Sequence, residues 1–172
     1  MTPLQAVQLP AELRTLLQSD YAMLVLFGVF VLEGAMLMYF VPSELIVPGA
    51  IFLLGTELPV IASIVGVAVL GATAGQFALF LVARRAGREY LLDSRWVRVD
   101  ESQLSRFDGW FSKWGPVVVP VSNTLLFTRG MVTIPAGLSD LDSRRFVLLS
   151  AVGTLSFESI LAALYVASDT VL

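Results

Sequence analysis

LPVIASIVGVAVLGATAGQFALFLVA, the run from Leu58 to Ala83, contains no Asp, Glu, Lys or Arg. As a helix rising ~1.5 Å per residue it is roughly 39 Å long, enough to cross a hydrocarbon core of ~30 Å. On either side lie further uncharged runs: Tyr21–Leu32, Gly34–Ser43, Leu45–Thr56, Trp114–Thr128, Gly130–Ser139 and Phe146–Phe157. Each is too short to span alone, and each joins a neighbour through one ionisable residue or a proline. A soluble core can hold one such run but not this many in 172 residues. The chain is 56% hydrophobic and only 15% charged, whereas a soluble domain carries about a quarter charged residues. The expected fold class is therefore all-α, a polytopic membrane protein with a single membrane domain over residues 1–172. Met1–Asp20 has no basic segment followed by an apolar one and does not read as a signal peptide.

Basic residues set a topology. Arg84, Arg85, Arg88, Arg95, Arg98, Arg106 and Lys113 share one polar stretch, and Arg144 and Arg145 another, while only Arg14 precedes the first apolar run. By the positive-inside rule both basic loops, 84–113 and 140–145, face the cytoplasm of a cell whose plasma membrane holds the protein. Leu58–Ala83 and Phe146–Ser168 then cross in opposite senses. Trp114–Ser139 must begin and end on the same side, and two full crossings would need about 40 residues. A re-entrant hairpin is expected there, with Pro135, Gly137 and Gly130 as helix breakers. Tyr21–Thr56, broken near Pro42 and at Pro48-Gly49, reads as a hairpin entering from the opposite face, with a full span plus a half-span as the alternative.

Two units of hairpin plus spanning helix, 21–83 and 114–168, would form an inverted repeat, a pattern of secondary transporters. Val47-Pro48-Gly49-Ala50 is similar to Ile134-Pro135-Ala136-Gly137, and the Gly71…Gln76 spacing is similar to Gly153…Glu158. Between the units, 94–113 alternates charge with Trp96, Val99, Leu104, Phe107 and Phe111, which places the last three on one helical face. An amphipathic cytoplasmic helix is expected, lying either on the leaflet or on the protein's own loops.

Four ionisable residues interrupt the apolar runs: Glu33, Glu44, Arg129 and Glu158. A charge at mid-bilayer costs at least ~2.5–3.5 kcal/mol on insertion scales, so each should face protein or water. Arg129 is the sole cation of its hairpin. A helix broken inside the membrane offers unpaired N–H groups to anions, and a guanidinium beside such a break would suit a phosphate oxygen. Glu33, Glu44 and Glu158 are candidates for proton coupling, and Glu158 for a structural pair with Arg129.

The chain has no cysteine and no histidine, which excludes disulfides, zinc sites and histidine bases. No aspartate falls in a spanning run, as an aspartyl protease would require, so no enzyme, metal or cofactor is expected. The net charge of −3 argues against nucleic acid as a partner.

The residues also match a family. Glu33, Val41-Pro42-Ser43-Glu44 and Pro48-Gly49 resemble the first hairpin of DedA-family membrane proteins, of the SNARE-associated or VTT-domain group. Gly71 through Gln76 and Phe80 to Arg84-Arg85-Ala86-Gly87 resemble that family's glycine-rich helix, and Phe111-Ser112-Lys113-Trp114-Gly115 the entry to its second hairpin. Phe127-Thr128-Arg129, Pro135-Ala136-Gly137, Phe146 and Gly153 follow its later signature. The resemblance covers roughly residues 21–168. It implies a flippase or scramblase for polyprenyl-phosphate carriers or phospholipids, in some members coupled to a proton or sodium gradient. It also implies that Glu33, Glu44 and Arg129 take the essential acidic and basic positions. Asn123 stands where the family usually has a second substrate-binding arginine, Gln76 where an aspartate is common, and Phe157 where a tryptophan is, which marks a divergent member. The rival readings are a non-transporting scaffold and a small-ion exchanger.

Overall fold

The computed structural model describes residues 21–38, 42–93, 101–126 and 128–169. Met1–Asp20, Val41, Phe127 and the stretch 94–100 with Trp96 and Val99 lie outside them. Among the described residues every regular element is helical: α1 (Ala22–Gly34), α2 (Ile46–Leu54), α3 (Leu58–Asp93), α4 (Glu101–Trp114), α5 (Val118–Thr124), α6 (Thr133–Leu138) and α7 (Ser143–Asp169). Short 3-10 turns, Ser43–Leu45 and Gly115–Val117, lead into α2 and α5.

Among the described residues two helices are long and apolar enough to cross a membrane: Leu58–Gly87 within α3 and Ser143–Ser168 within α7. The first outlasts the uncharged run that announced it and bends at Gly87, whose φ of 79° leaves helical geometry. α1, with 13 residues, reaches about 20 Å, short of a ~30 Å core. α2 is shorter still.

The exterior is apolar as well as the interior, unlike that of a soluble protein. Leu148, Val152, Leu155, Ile160 and Leu164 are exposed along α7, as are Leu70 and Val82 on α3, while Gln76, Asn123, Ser150, Thr154 and Glu158 are buried. An apolar exterior of this extent needs lipid around it. Its interior packs α1, α2, α6 and α7 around α3. Leu26, Phe30, Ile51, Ile64 and Ala68 fill one end, and Phe80, Val119, Val132 and Phe146 the other. Phe80 stacks on Phe146 with ring centroids 4.2 Å apart.

Close backbone approach joins α1 to α3. A Cβ on Gly75 would strike the Val31 carbonyl oxygen, and one on Gly34 the Ala72 carbonyl oxygen, so glycine at both positions lets the helices meet backbone to backbone. At the other end Arg84 lies over the Phe80 ring, 4.5 Å from its centroid. Its guanidinium donates to Ser139 O (3.1 Å), Leu141 O and Ser143 Oγ (3.2 Å), tying the α6–α7 turn to α3. Asp142 caps α7, its Oδ2 accepting from the backbone N–H groups of Arg144 (3.0 Å) and Arg145 (3.2 Å). α4 lays Leu104 and Phe107 inward, with Leu104 against Ala83 and Ile134, and leaves Trp110 and Trp114 exposed.

Candidate functional site

The prolines named as breaks start helices instead. Pro48 and Gly49 lie inside α2, and Pro135 and Gly137 inside α6, each proline in the first turn of its helix. A proline there loses only an N–H that has no intrahelical acceptor, so it need not interrupt the helix. The non-helical backbone falls just before them. Met36, with a left-handed φ of 58°, ends α1 while the Leu37 N–H reaches back to Leu32 O (2.9 Å), and Pro42 precedes the 3-10 turn into α2. In the second half, the described residues 125–126 and 128–132, between α5 and α6, are irregular.

Arg129 sits in that irregular loop, which side chains of α5 hold in place. Ser122 Oγ donates to Thr128 O, and Thr128 Oγ1 donates back to Ser122 O at 3.1 Å. Gly130 takes a φ of 74°, and its N–H meets Asn123 Oδ1 at 3.4 Å. The guanidinium is thereby aimed into the core, with its side chain 5% exposed.

There it meets two carboxylates 125 residues apart in sequence order, one on α1 and one on α7. Nε donates to Glu33 Oε1 at 2.9 Å, and Nη2 to Glu33 Oε2 at 3.4 Å and Glu158 Oε1 at 2.6 Å. Its flat face covers the Phe157 ring at 4.2 Å. Two atoms of this cluster remain buried without a hydrogen-bond partner: Arg129 Nη1 and Glu158 Oε2. The structure thus brings together three of the four ionisable residues that interrupt the apolar runs. Glu44 is the exception. It lies half-buried on the 3-10 turn before α2, and the ion pairs of Arg129 among the described residues go to Glu33 and Glu158.

Asn123 belongs to a second, uncharged cluster. Its Nδ2 donates to Gln76 Oε1 at 2.9 Å and Ser150 Oγ at 3.2 Å, and Ser150 Oγ donates to Gln76 Oε1. Two of the positions at which the resemblance implies another residue, Asn123 and Gln76, are therefore direct partners. The sequence reading did not single out Ser150, Thr73 or Thr154. Their signal was available, because Ser150, Thr154 and Glu158 recur at four-residue intervals and so share one face of α7.

A helical membrane protein whose buried arginine–glutamate cluster joins α1, the loop before α6 and the long apolar α7 is the class that fold and site define. The VTT domain model matches residues 41–166, and the chain belongs to that family. It is 26% identical over 120 residues to undecaprenyl phosphate transporter A of Staphylococcus aureus, covering 66% of this chain and 59% of that protein. This chain thus spans about three-fifths of the length of that relative. It is 23% identical over 143 residues to the membrane protein YbfM of Bacillus subtilis, covering 83% of this chain and 87% of the other. An alkaline phosphatase-like protein of Lactococcus lactis is 26% identical over 131 residues, covering 72% of this chain and 61% of that one. No solved structure matches the chain.

Proposed function

We propose that the chain moves a phosphate-headed lipid, a polyprenyl-phosphate carrier or a phospholipid, between membrane leaflets, with Arg129 as the phosphate contact. One observation carries the reading: a buried guanidinium in an irregular intramembrane loop keeps Nη1 without a partner. Family membership and the likeness to an undecaprenyl phosphate transporter support it. A guanidinium fork matches phosphate oxygens in a way that an ammonium group does not. In purified full-length protein reconstituted into liposomes, Arg129→Lys should slow polyprenyl-phosphate movement at least tenfold. Transport at the wild-type rate would remove the phosphate-contact role.

In this reading α1–α2 and α5–α6 are two opposed re-entrant hairpins, each followed by a spanning helix in an inverted repeat, within one plasma-membrane domain. The basic loops 84–113 and 140–145 face the cytoplasm, and transport draws on a proton or sodium gradient. Single cysteines at Ser102 and Ser143 test the orientation, since the chain has no native cysteine. Labelling of either from outside intact cells by an impermeant reagent would reverse it.

A second reading has its own observation. Arg129 is closed in ion pairs with Glu33 and Glu158, as it would be in a scaffold that uses charge only for helix packing. Lipid movement in liposomes separates the two readings, and none under any gradient selects the scaffold. For the phosphatase-like name of the Lactococcus relative, this chain offers neither the histidine nor the cysteine that many phosphoryl-transfer sites use.

A further inference from the structure

One cation held between two carboxylates leaves the Glu33–Arg129–Glu158 cluster with one net negative charge. A phosphate head entering such a site meets repulsion unless a positive charge arrives with it, because like charges do not share a poorly solvated site. We propose that Glu158 is the group that receives that charge, taking up one proton or one sodium ion as an anionic head binds Arg129. This rests on the phosphate-lipid reading above and names the coupling site within it.

The geometry distinguishes Glu158 from Glu33. Glu33 uses both carboxylate oxygens on the guanidinium and its side chain is 10% exposed. Glu158 uses only Oε1, is 1% exposed, and leaves Oε2 buried and unpartnered. Further buried, unpartnered polar atoms lie along the same helices. Thr154 Oγ1 is one turn earlier on α7, and Thr73 Oγ1 and Gln76 Nε2 share a face of α3. Unpartnered buried groups in such numbers call for unseen water or an ion. Together they form a polar seam between α3 and α7, ending at the amide cluster of Gln76, Asn123 and Ser150. A proton passing along ordered water would form its O–H bond at Glu158 Oε2. A sodium ion would take that oxygen together with threonine hydroxyls. Either weakens the Glu158–Arg129 pair and frees one N–H of Nη2, whose other bond goes to Glu33 Oε2, beside the unpartnered Nη1 for phosphate oxygens.

The neighbouring elements bring few other charges to the site. Glu33 faces it from α1 and Arg129 from the α5–α6 loop. α5, α6 and Leu58–Ala83 of α3 carry none, and α2 has only Glu44 on the turn before it.

Calorimetry of the full chain in detergent, with geranylgeranyl monophosphate as the probe, counts the ions. The titration is run in buffers of different ionisation enthalpy and in sodium or choline chloride. Uptake of about one proton per lipid bound in wild type, and near zero per lipid bound in Glu158→Gln whatever its affinity, establishes the proton form. A roughly tenfold affinity gain per tenfold sodium, abolished in Glu158→Gln, establishes the sodium form. Lipid binding with neither signal, or uptake undiminished in Glu158→Gln, overturns this inference alone. No binding in wild type overturns the phosphate-lipid reading and this inference with it. Should Glu158→Gln fail to fold, infrared difference spectra of wild type and Glu158→Asp decide. A carboxyl band that changes on lipid addition and shifts in the aspartate variant supports the assignment. An unshifted or absent band overturns it.

Discussion

Two buried polar clusters hang on the stretch from α5 to the start of α6, and they differ in what holds them together. The Arg129 cluster is ionic, joining α1, the irregular loop and α7. The Asn123 cluster is neutral, joining α3, α5 and α7 through amide and hydroxyl bonds. Their anchors on α7, Ser150 and Glu158, are two turns apart, about 12 Å along the helix. The neutral cluster leaves Gln76 Nε2 buried without a partner but carries no net charge, so it behaves as a fixed joint. The charged one carries surplus negative charge and unpartnered atoms, so it is the cluster that changes when an ion or anion arrives.

Removing the cation should break this contrast most forcefully. Arg129→Leu leaves Glu33 and Glu158 buried without their partner, and losing one member of a buried ionic network costs about 3–5 kcal/mol. Denaturant unfolding in detergent should show that loss, together with abolished lipid movement. Ser150→Ala deletes one neutral donor and should cost only about 1–2 kcal/mol. Comparable losses from both variants would mean that the ionic cluster is no more strongly interdependent than the amide one.

Between these lies the pair Asn123–Gln76. The family resemblance implies arginine and aspartate at these positions, and here a neutral pair at 2.9 Å stands instead. Asn123→Arg alone adds a cation to a buried site whose nearest partner, Gln76, cannot balance it. Adding Gln76→Asp supplies the counter-charge. We expect the double variant to be more stable than the sum of the single effects by about 0.5–3 kcal/mol. Strict additivity would show that the two departures from the family pattern arose independently.

Much of this was legible because hydrophobic length is a local property. Leu58–Ala83 announced α3, Phe146–Ser168 announced α7, and the cost of an isolated charge marked Glu33, Arg129 and Glu158 as inward-facing. Partners were less legible, since Glu33 and Arg129 meet only through the backbone contact of Gly34 and Gly75 with their facing helices and through the loop pinned by Ser122 and Thr128. The prolines were misplaced for a different reason. Sequence shows that Pro48 and Pro135 cannot sit mid-helix, but it does not show which neighbouring turn supplies the first residue, and here both fall inside the start of α2 and α6. The apolar side of α4 was expected from its spacing, but spacing alone could not say whether lipid or Ala83 and Ile134 would cover Leu104.

Glu44 gives the smallest expected effect and the sharpest test of where the charged cluster ends. The family resemblance implies an essential acid at this position, yet Glu44 stands outside the ion pairs of Arg129, half-buried on the turn before α2. A half-buried carboxylate with no part in the ion pairs of Arg129 should tolerate neutralisation. Glu44→Gln is therefore expected to change unfolding free energy by less than ~0.5 kcal/mol, whereas Glu158→Gln, which removes a buried charge from a network, changes it by more. Lipid movement should nevertheless fall in Glu44→Gln if the acid acts during passage rather than in the resting fold. The two readouts then diverge for Glu44 and move together for Arg129→Leu. A stability loss in Glu44→Gln matching that of Glu158→Gln would make Glu44 a third acid of the cluster. Unchanged stability with unchanged transport would instead remove Glu44 from the site and leave Glu33, Arg129 and Glu158 as its whole charge complement.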